Sequence, residues 1–136
     1  LDRELDAGGV DAGRVVVLPQ VDHDDYLRIN LACDAMLDSV RWSGGNTSLD
    51  AIACGLPIAT CPGTFMRGRQ SAGMLELIGA ADLIAADEDA LVANAVRLAE
   101  DAPWRAELSV RMRDGSKALF DDVEPVAALA AALDGR

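Results

Sequence analysis

Residues 43–62 read SGGNTSLDAIACGLPIATCP, and this stretch decides the fold class. A short apolar segment before it, Ala35–Asp38, is predicted as a β-strand. After the two glycines, Thr47 to Cys54 is predicted as a helix that ends at Gly55. Pro57 to Thr60 is then predicted as another buried strand. The order strand, glycine turn, helix, strand is typical of an α/β fold built on a parallel sheet.

The sequence on either side continues this alternation of strands and helices. Arg14 to Leu18, RVVVL, is predicted as a buried strand, and Asp22 as the N-cap of the helix that follows. The remaining predicted elements are a helix at Met66–Ile78, a brief strand at Asp82–Ala85, and helices at Asp87–Glu100, Trp104–Leu119 and Asp121–Leu133.

These elements predict one domain over residues 1–136, with a Rossmann-like core at 1–100 and C-terminal helices at 101–136. A doubly wound sheet usually has about five or six strands, and fewer are predicted here. We therefore expect the sequence to be part of a longer protein.

The composition indicates which classes of binding partner are not expected for this chain. The formal net charge of −11 argues against nucleic acid, because phosphate backbones are bound by clustered Lys and Arg. No secretory segment and no apolar run of about 18 residues is present, so a membrane partner is not expected. Cys33, Cys54 and Cys61 show no pairing pattern, which favours buried, reduced thiols in a cytoplasmic protein. With His23 as the single histidine, no metal site is expected.

The glycine turn has the chemistry of an anion site. A helix N-terminus offers backbone N–H groups and a partial positive charge, and glycines let the backbone approach the anion closely. Asp50 follows one turn later, where a carboxylate could accept hydrogen bonds from ribose hydroxyls. The alternative is a plain helix cap after a flexible turn, and these residues alone leave both interpretations open.

Several segments together resemble a known family. They are RVVVLPQVDHDDYL at 14–27, the stretch 43–62, CPGTFMRGR at 61–69 and DLIAADED at 82–89. From Arg14 to about Asp121, the chain resembles the donor-binding half of GT-B glycosyltransferases, and in particular the protein O-GlcNAc transferase family with its SPINDLY-like members. The resemblance implies the C-terminal, nucleotide-binding lobe of such an enzyme.

The resemblance also implies site residues that contact UDP-GlcNAc or a related nucleotide sugar. Ile29 and Tyr26 depart from the arginine and histidine that some members have near the base. His23 occupies a family lysine position beside the base, although a surface residue in an acidic first turn is the other interpretation. The implied diphosphate contacts are Gly44, Gly45, Asn46 and Thr47, the ribose contact is Asp50, and the base contacts are the Val21 backbone and His23.

Arg67 and Arg69 flank Gly68 after a Pro-Gly turn. They are predicted either as a second clamp on the phosphates or the acceptor, or as exposed arginines that solvate a loop. No general base is recognisable, and the resemblance implies that the catalytic residues lie upstream of this chain. No cofactor and no metal is expected beyond the UDP-sugar substrate.

The resemblance implies a transferase that moves GlcNAc from UDP to Ser or Thr hydroxyls of a protein acceptor. The acceptor lobe and any TPR repeats would lie outside this chain, which alone is expected to be inactive. An exposed face left by the absent N-terminal lobe could form a homo-oligomer. The alternatives are another GT-B sugar-nucleotide enzyme, such as a MurG-like transferase or a UDP-GlcNAc epimerase, and a non-catalytic module that retains the fold.

Overall fold

The structure is a computed structural model that describes residues 2–135. Helices dominate it, and short 3-10 helices occur at Ala12–Arg14, Met66–Gly68, Ala81–Leu83 and Ser116–Ala118. The α-helices and β-strands in chain order are α1 (Asp2–Ala7), α2 (His23–Ala32), β1 (Met36–Leu37), α3 (Asn46–Cys54), β2 (Ile58–Ala59), α4 (Gln70–Leu77), α5 (Glu88–Glu100), α6 (Ala102–Gly115) and α7 (Glu124–Leu133).

A small parallel sheet lies at the centre of the fold. Strands β1 and β2 pair in parallel, with Met36 opposite Ile58 and Leu37 opposite Ala59. A parallel bridge between Thr60 and Ile84 adds a third segment beside β2. The predicted strands at 35–38 and 57–60 are confirmed in shorter form. The predicted strand at 82–85 is wrong for most of its length, because 81–83 forms a 3-10 turn and only Ile84 pairs.

The core is aliphatic and is assembled from the sheet and the helices that cover it. Its largest fully buried hydrophobic side chains are Ile52, Ile58, Leu75, Leu83, Leu98, Leu108 and Met112. Gly55 ends α3 in the left-handed conformation, with φ of 70°, as the sequence predicts. Among residues 2–135, no helix has the length and apolarity needed to cross a membrane.

The prediction of a buried strand at Arg14–Leu18 is wrong. Residues 15–18 belong to no strand, and Val16 and Val17 are 78% and 74% exposed. A strand exists only where a neighbouring strand takes up its backbone hydrogen bonds, and no described strand pairs with this segment. Its apolar side chains therefore face solvent.

Two further expectations need correction. Cys61 is buried and Cys54 is half-buried, but Cys33 is exposed because it caps the C-terminal end of α2 at the surface. The last helix begins at Glu124 and not at Asp121, which has a positive φ of 61° that cannot continue a helix. None of the residues of α7 is buried.

Candidate functional site

The glycine turn connects the end of β1 to the first residue of α3. Gly44 donates its N–H to Asp38 Oδ1 over 2.8 Å, and Ser43 donates its N–H to the Arg67 carbonyl oxygen over 2.8 Å. A Cβ added to Gly44 would overlap the Ser48 hydroxyl, and one added to Gly45 would lie 3.0 Å from Gln70 Oε1. The turn therefore packs too closely for a side chain at Gly44, whereas a Cβ at Gly45 would only require the end of the Gln70 side chain to shift.

The turn leaves a set of backbone donors at the start of α3. Within the described residues, the N–H groups of Gly45, Asn46 and Thr47 donate to no protein acceptor. These amides lie at the positive end of the helix dipole, which favours an anion. The predicted diphosphate residues thus lie together, while the N–H of Gly44 points inward to Asp38.

The predicted ribose residue, Asp50, lies one turn further along α3. Its Oδ1 lies 3.9 Å from His23 Nε2 at the start of α2, and the two side chains are 24% and 66% exposed. The fold therefore brings the predicted ribose and base residues together, although they are distant in sequence. The high exposure of His23 also agrees with its interpretation as a surface residue.

A groove of about 560 Å³ occupies the region predicted to bind the base. Residues 18–22 form one wall, and the first turns of α2 form the other. Its lining residues are Leu18, Pro19, Gln20, Val21, Asp22, His23, Tyr26 and Ile29. Val21 and His23, which the resemblance implies as base contacts, thus line the same groove as the two departures, Tyr26 and Ile29.

Arg67 and Arg69 both lie in the loop between β2 and α4. The Arg67 guanidinium stacks 4.8 Å from the Phe65 ring centroid and 6.0 Å from that of Trp42. Arg69 Nη1 donates to the Gly63 carbonyl oxygen over 3.1 Å. Both side chains are exposed and already contact their own loop, which adjoins the glycine turn through the bond from Ser43 to Arg67.

Sequence reasoning missed a buried polar cluster beneath the glycine turn. Asp38, Ser43, Thr60 and Ser71 are at most 7% exposed and are joined by hydrogen bonds. The signal in the sequence is an acidic residue at the end of an apolar strand, since a charge in that position needs partners. Every buried side-chain polar atom among the described residues has a hydrogen-bond partner.

The Cys54 thiol lies near the candidate site, on the last residue of α3. Burial raises the pKa of Cys54, and the negative charge of Asp50 raises this pKa further. Cys54 is therefore a weaker nucleophile than an ordinary thiol at neutral pH. Among residues 2–135, no three His, Cys, Asp or Glu side chains are grouped to hold a metal ion.

Comparison with known proteins agrees with this geometry. A probable UDP-N-acetylglucosamine–peptide N-acetylglucosaminyltransferase SPINDLY from Solanum lycopersicum is 28% identical over 112 residues, which are 81% of this chain and 12% of that protein. A UDP-N-acetylglucosamine–peptide N-acetylglucosaminyltransferase from Caenorhabditis elegans is 29% identical over 115 residues, 83% of this chain and 10% of that protein. The chain thus spans only about a tenth of these relatives.

A solved structure is also similar. A mutant of the Thermobaculum terrenum O-GlcNAc transferase superposes with a TM-score of 0.87 and 28% identity, covering 96% of this chain and 26% of that one. The α/β arrangement described above is therefore a part of the GT-B fold of that enzyme. The family described as Glycosyl transferase family 41 matches residues 2–125. The glycine turn, the groove and the small parallel sheet all lie within the matched residues, and the chain belongs to glycosyl transferase family 41.

Proposed function

We propose that this chain is the nucleotide-sugar-binding portion of a glycosyltransferase that transfers GlcNAc from UDP-GlcNAc to Ser or Thr hydroxyls of a protein. The relatives from Solanum lycopersicum and Caenorhabditis elegans are named as peptide N-acetylglucosaminyltransferases. Because this chain corresponds to a small part of each, donor, acceptor and activity are extended to it as a proposal.

One observation carries the proposal. The unpartnered N–H groups of Gly45, Asn46 and Thr47 lie one helical turn from Asp50, which borders the groove through His23. A nucleoside diphosphate has an anionic diphosphate, a ribose diol and a flat base joined in that order. The helix end, the carboxylate and the groove provide a complementary partner for each part in the same order.

The same donors suit the chemistry of transfer. When the sugar leaves UDP, negative charge grows on the β-phosphate. Backbone N–H groups fixed by a packed turn can stabilise that charge without reorganising during the reaction. Gly45, Asn46 and Thr47 would supply this stabilisation. Catalytic groups, the acceptor-binding lobe and any TPR repeats would belong to other parts of the full protein, which we place in the cytoplasm.

Calorimetric titration of the chain with UDP, UDP-GlcNAc and GDP tests the proposal. We expect both uridine nucleotides to bind more tightly than GDP. Asp50→Ala should weaken UDP binding about tenfold or more, because it removes a charged hydrogen-bond acceptor for ribose. Asn46→Ala should weaken it less, since its backbone N–H remains. Asp89→Ala is the matched control, because it removes an acid from the first turn of α5.

The outcomes separate the alternatives. Absence of binding by all three nucleotides would overturn the proposal for this chain, and the same absence in the full-length protein would favour a non-catalytic module. Tight UDP binding that Asp50→Ala leaves unchanged would contradict the ribose contact. In the full-length protein, a MurG-like transferase would transfer the sugar to a non-protein acceptor and an epimerase would isomerise UDP-GlcNAc, and product analysis would detect either reaction. The chain alone is expected to show no transfer to protein, and measurable transfer would contradict that expectation.

We also propose that the isolated chain self-associates through its exposed apolar segment. Val16, Val17 and Leu18 are between 52% and 78% exposed. Adjacent apolar side chains in this state promote association. Sedimentation velocity over a range of concentrations should show a reversible dimer that Val17→Glu abolishes. A monomer at all concentrations would contradict the proposal.

A further inference from the structure

Asp38 lies at the end of β1 and is 7% exposed. Its Oδ1 accepts hydrogen bonds from the Ser39 N–H at 2.9 Å and the Gly44 N–H at 2.8 Å. Its Oδ2 accepts from the Ser43 hydroxyl at 2.7 Å and the Thr60 hydroxyl at 2.8 Å. A carboxylate has about four acceptor positions, and all are used here. One side chain therefore joins β1, the glycine turn and the end of β2.

The bonds continue from Asp38 to the helices on either side of the turn. Ser71, in the first turn of α4, donates its N–H to Ser43 Oγ over 2.9 Å. The Ser71 hydroxyl lies 2.8 Å from Ser48 Oγ, on α3. Both serines are fully buried. A connected set of buried hydrogen bonds thus holds the glycine turn that leads into the proposed diphosphate site. These bonds are stronger than the same bonds would be in water.

This arrangement divides the backbone donors of the turn into two groups. Asp38 accepts a hydrogen bond from the N–H of Gly44, and the next three N–H groups, of Gly45, Asn46 and Thr47, have no acceptor among the described residues. Donors stabilise a developing charge well only when their positions are fixed beforehand. Glycines by themselves give a flexible turn, since they allow many backbone conformations. To keep these donors in fixed positions, the turn therefore needs bonds such as those to Asp38.

We infer that Asp38 is the positioning residue of the nucleotide site: without contacting the nucleotide, it fixes the glycine turn so that the N–H groups of Gly45, Asn46 and Thr47 point at the diphosphate. This inference rests on the proposed function. The expected effect of removing Asp38 is opposite to the effect expected from its charge. A carboxylate beneath an anion site repels the anion, so charge alone predicts that its removal tightens binding. Positioning predicts that its removal weakens binding.

The experiment compares Asp38→Ala with the parent chain by UDP calorimetry and by amide hydrogen exchange without nucleotide. We expect UDP to bind at least tenfold more weakly. The amides of Ser43 and Ser48, which donate to the carbonyl oxygens of Arg67 and Gly45, should exchange at least tenfold faster, because the turn loses the bonds to Asp38 that hold it. The Ala80 amide, which donates to the Leu75 carbonyl oxygen and has no bond to this cluster, should keep its rate. A merely structural role would accelerate all of these amides together.

Ile52→Val is the control, since it weakens the core without touching the buried bonds and should leave UDP affinity unchanged. If Asp38→Ala does not fold, Asp38→Asn takes its place, with the same directions and an effect of about threefold. Unchanged or tighter UDP binding would overturn the inference, as would unchanged exchange at Ser43 and Ser48. A parent chain that does not bind UDP contradicts the proposed function, and the exchange rates still decide the role of Asp38.

Discussion

Two segments of this chain have nearly the same apolar character and opposite environments. Residues 16–18 form no strand and are exposed, whereas residues 57–60 contain β2 and are fully buried. The difference lies in their neighbours. Met36 and Asp38 donate N–H groups to the carbonyls of Pro57 and Ala59, and Thr60 pairs with Ile84. Formation of a β-strand therefore depends on a pair of segments. The apolar pattern of one segment indicates only that it is suited to burial.

The largest expected difference between the two segments is in stability. Ile58→Ala should lower the free energy of unfolding by about 2–5 kcal/mol, because it leaves a cavity in the core. Val16→Ala should change it by less than about 0.5 kcal/mol, because Val16 is exposed. Urea unfolding at low protein concentration measures both. A comparable loss for Val16→Ala would mean that this segment is packed in solution.

Hydrogen exchange should separate the two segments next. Within residues 2–135, the amides of Val16 and Val17 have no acceptor, whereas those of Thr60 and Ala85 donate to Leu83 and Thr60 at 3.1 and 2.8 Å. We expect the second pair to exchange roughly a hundredfold more slowly or better, since bonded core amides require opening of the structure. Equal rates, measured by NMR, would contradict the sheet described above.

A smaller effect is expected where the exposed segment meets α2. Asp22 accepts the N–H of Asp25 at 2.9 Å and so caps this helix. Asp22→Ala should cost about 1 kcal/mol of stability, which thermal unfolding would detect. Asp24→Ala removes an equally exposed acid of the same turn that caps nothing, and serves as the control. If both variants lost the same stability, the loss would be due to removal of a negative charge from the first turn of α2 and not to loss of the cap.

The smallest effect concerns the thiols. Because the Asp50 charge helps to raise the pKa of Cys54, Asp50→Asn should lower that pKa and increase the thiolate fraction. Alkylation of Cys54 by iodoacetamide at pH 8 should then become roughly twofold faster. Cys33, which is exposed at the far end of α2, should react at the same rate in both proteins. Peptide mass spectrometry measures both sites, and no change at Cys54 would contradict the influence of Asp50.

Helix ends could be predicted because their signals are local. Asp22 caps α2 within three residues, and Gly55 and Gly79 adopt positive φ values of 70° and 73° where their helices were predicted to end. The strand at Arg14–Leu18 could not be judged in this way. Whether this segment forms a strand depends on which segment lies beside it, and its own residues do not determine that neighbour.

In the candidate site too, residues close together in sequence could be predicted and residues joined by long-range bonds could not. Gly45, Asn46 and Thr47 are consecutive in the chain, so a local sequence pattern together with the family resemblance predicts them as a site. Asp38 bonds to partners that are five, six and twenty-two residues away, and the pattern around it does not name them. Only the fold shows that its carboxylate lies beneath the turn. The predicted contacts themselves remain predictions until a nucleotide is titrated.

The position of Cys33 has a practical use. It lies at the end of α2 opposite to His23, which borders the groove, and α2 has 10 residues. At about 1.5 Å of rise per residue, the two ends are roughly 15 Å apart. A fluorophore attached to this native thiol would therefore be outside the groove yet close enough to respond by energy transfer to a fluorescent nucleotide. The chain carries its own attachment point for an optical binding assay.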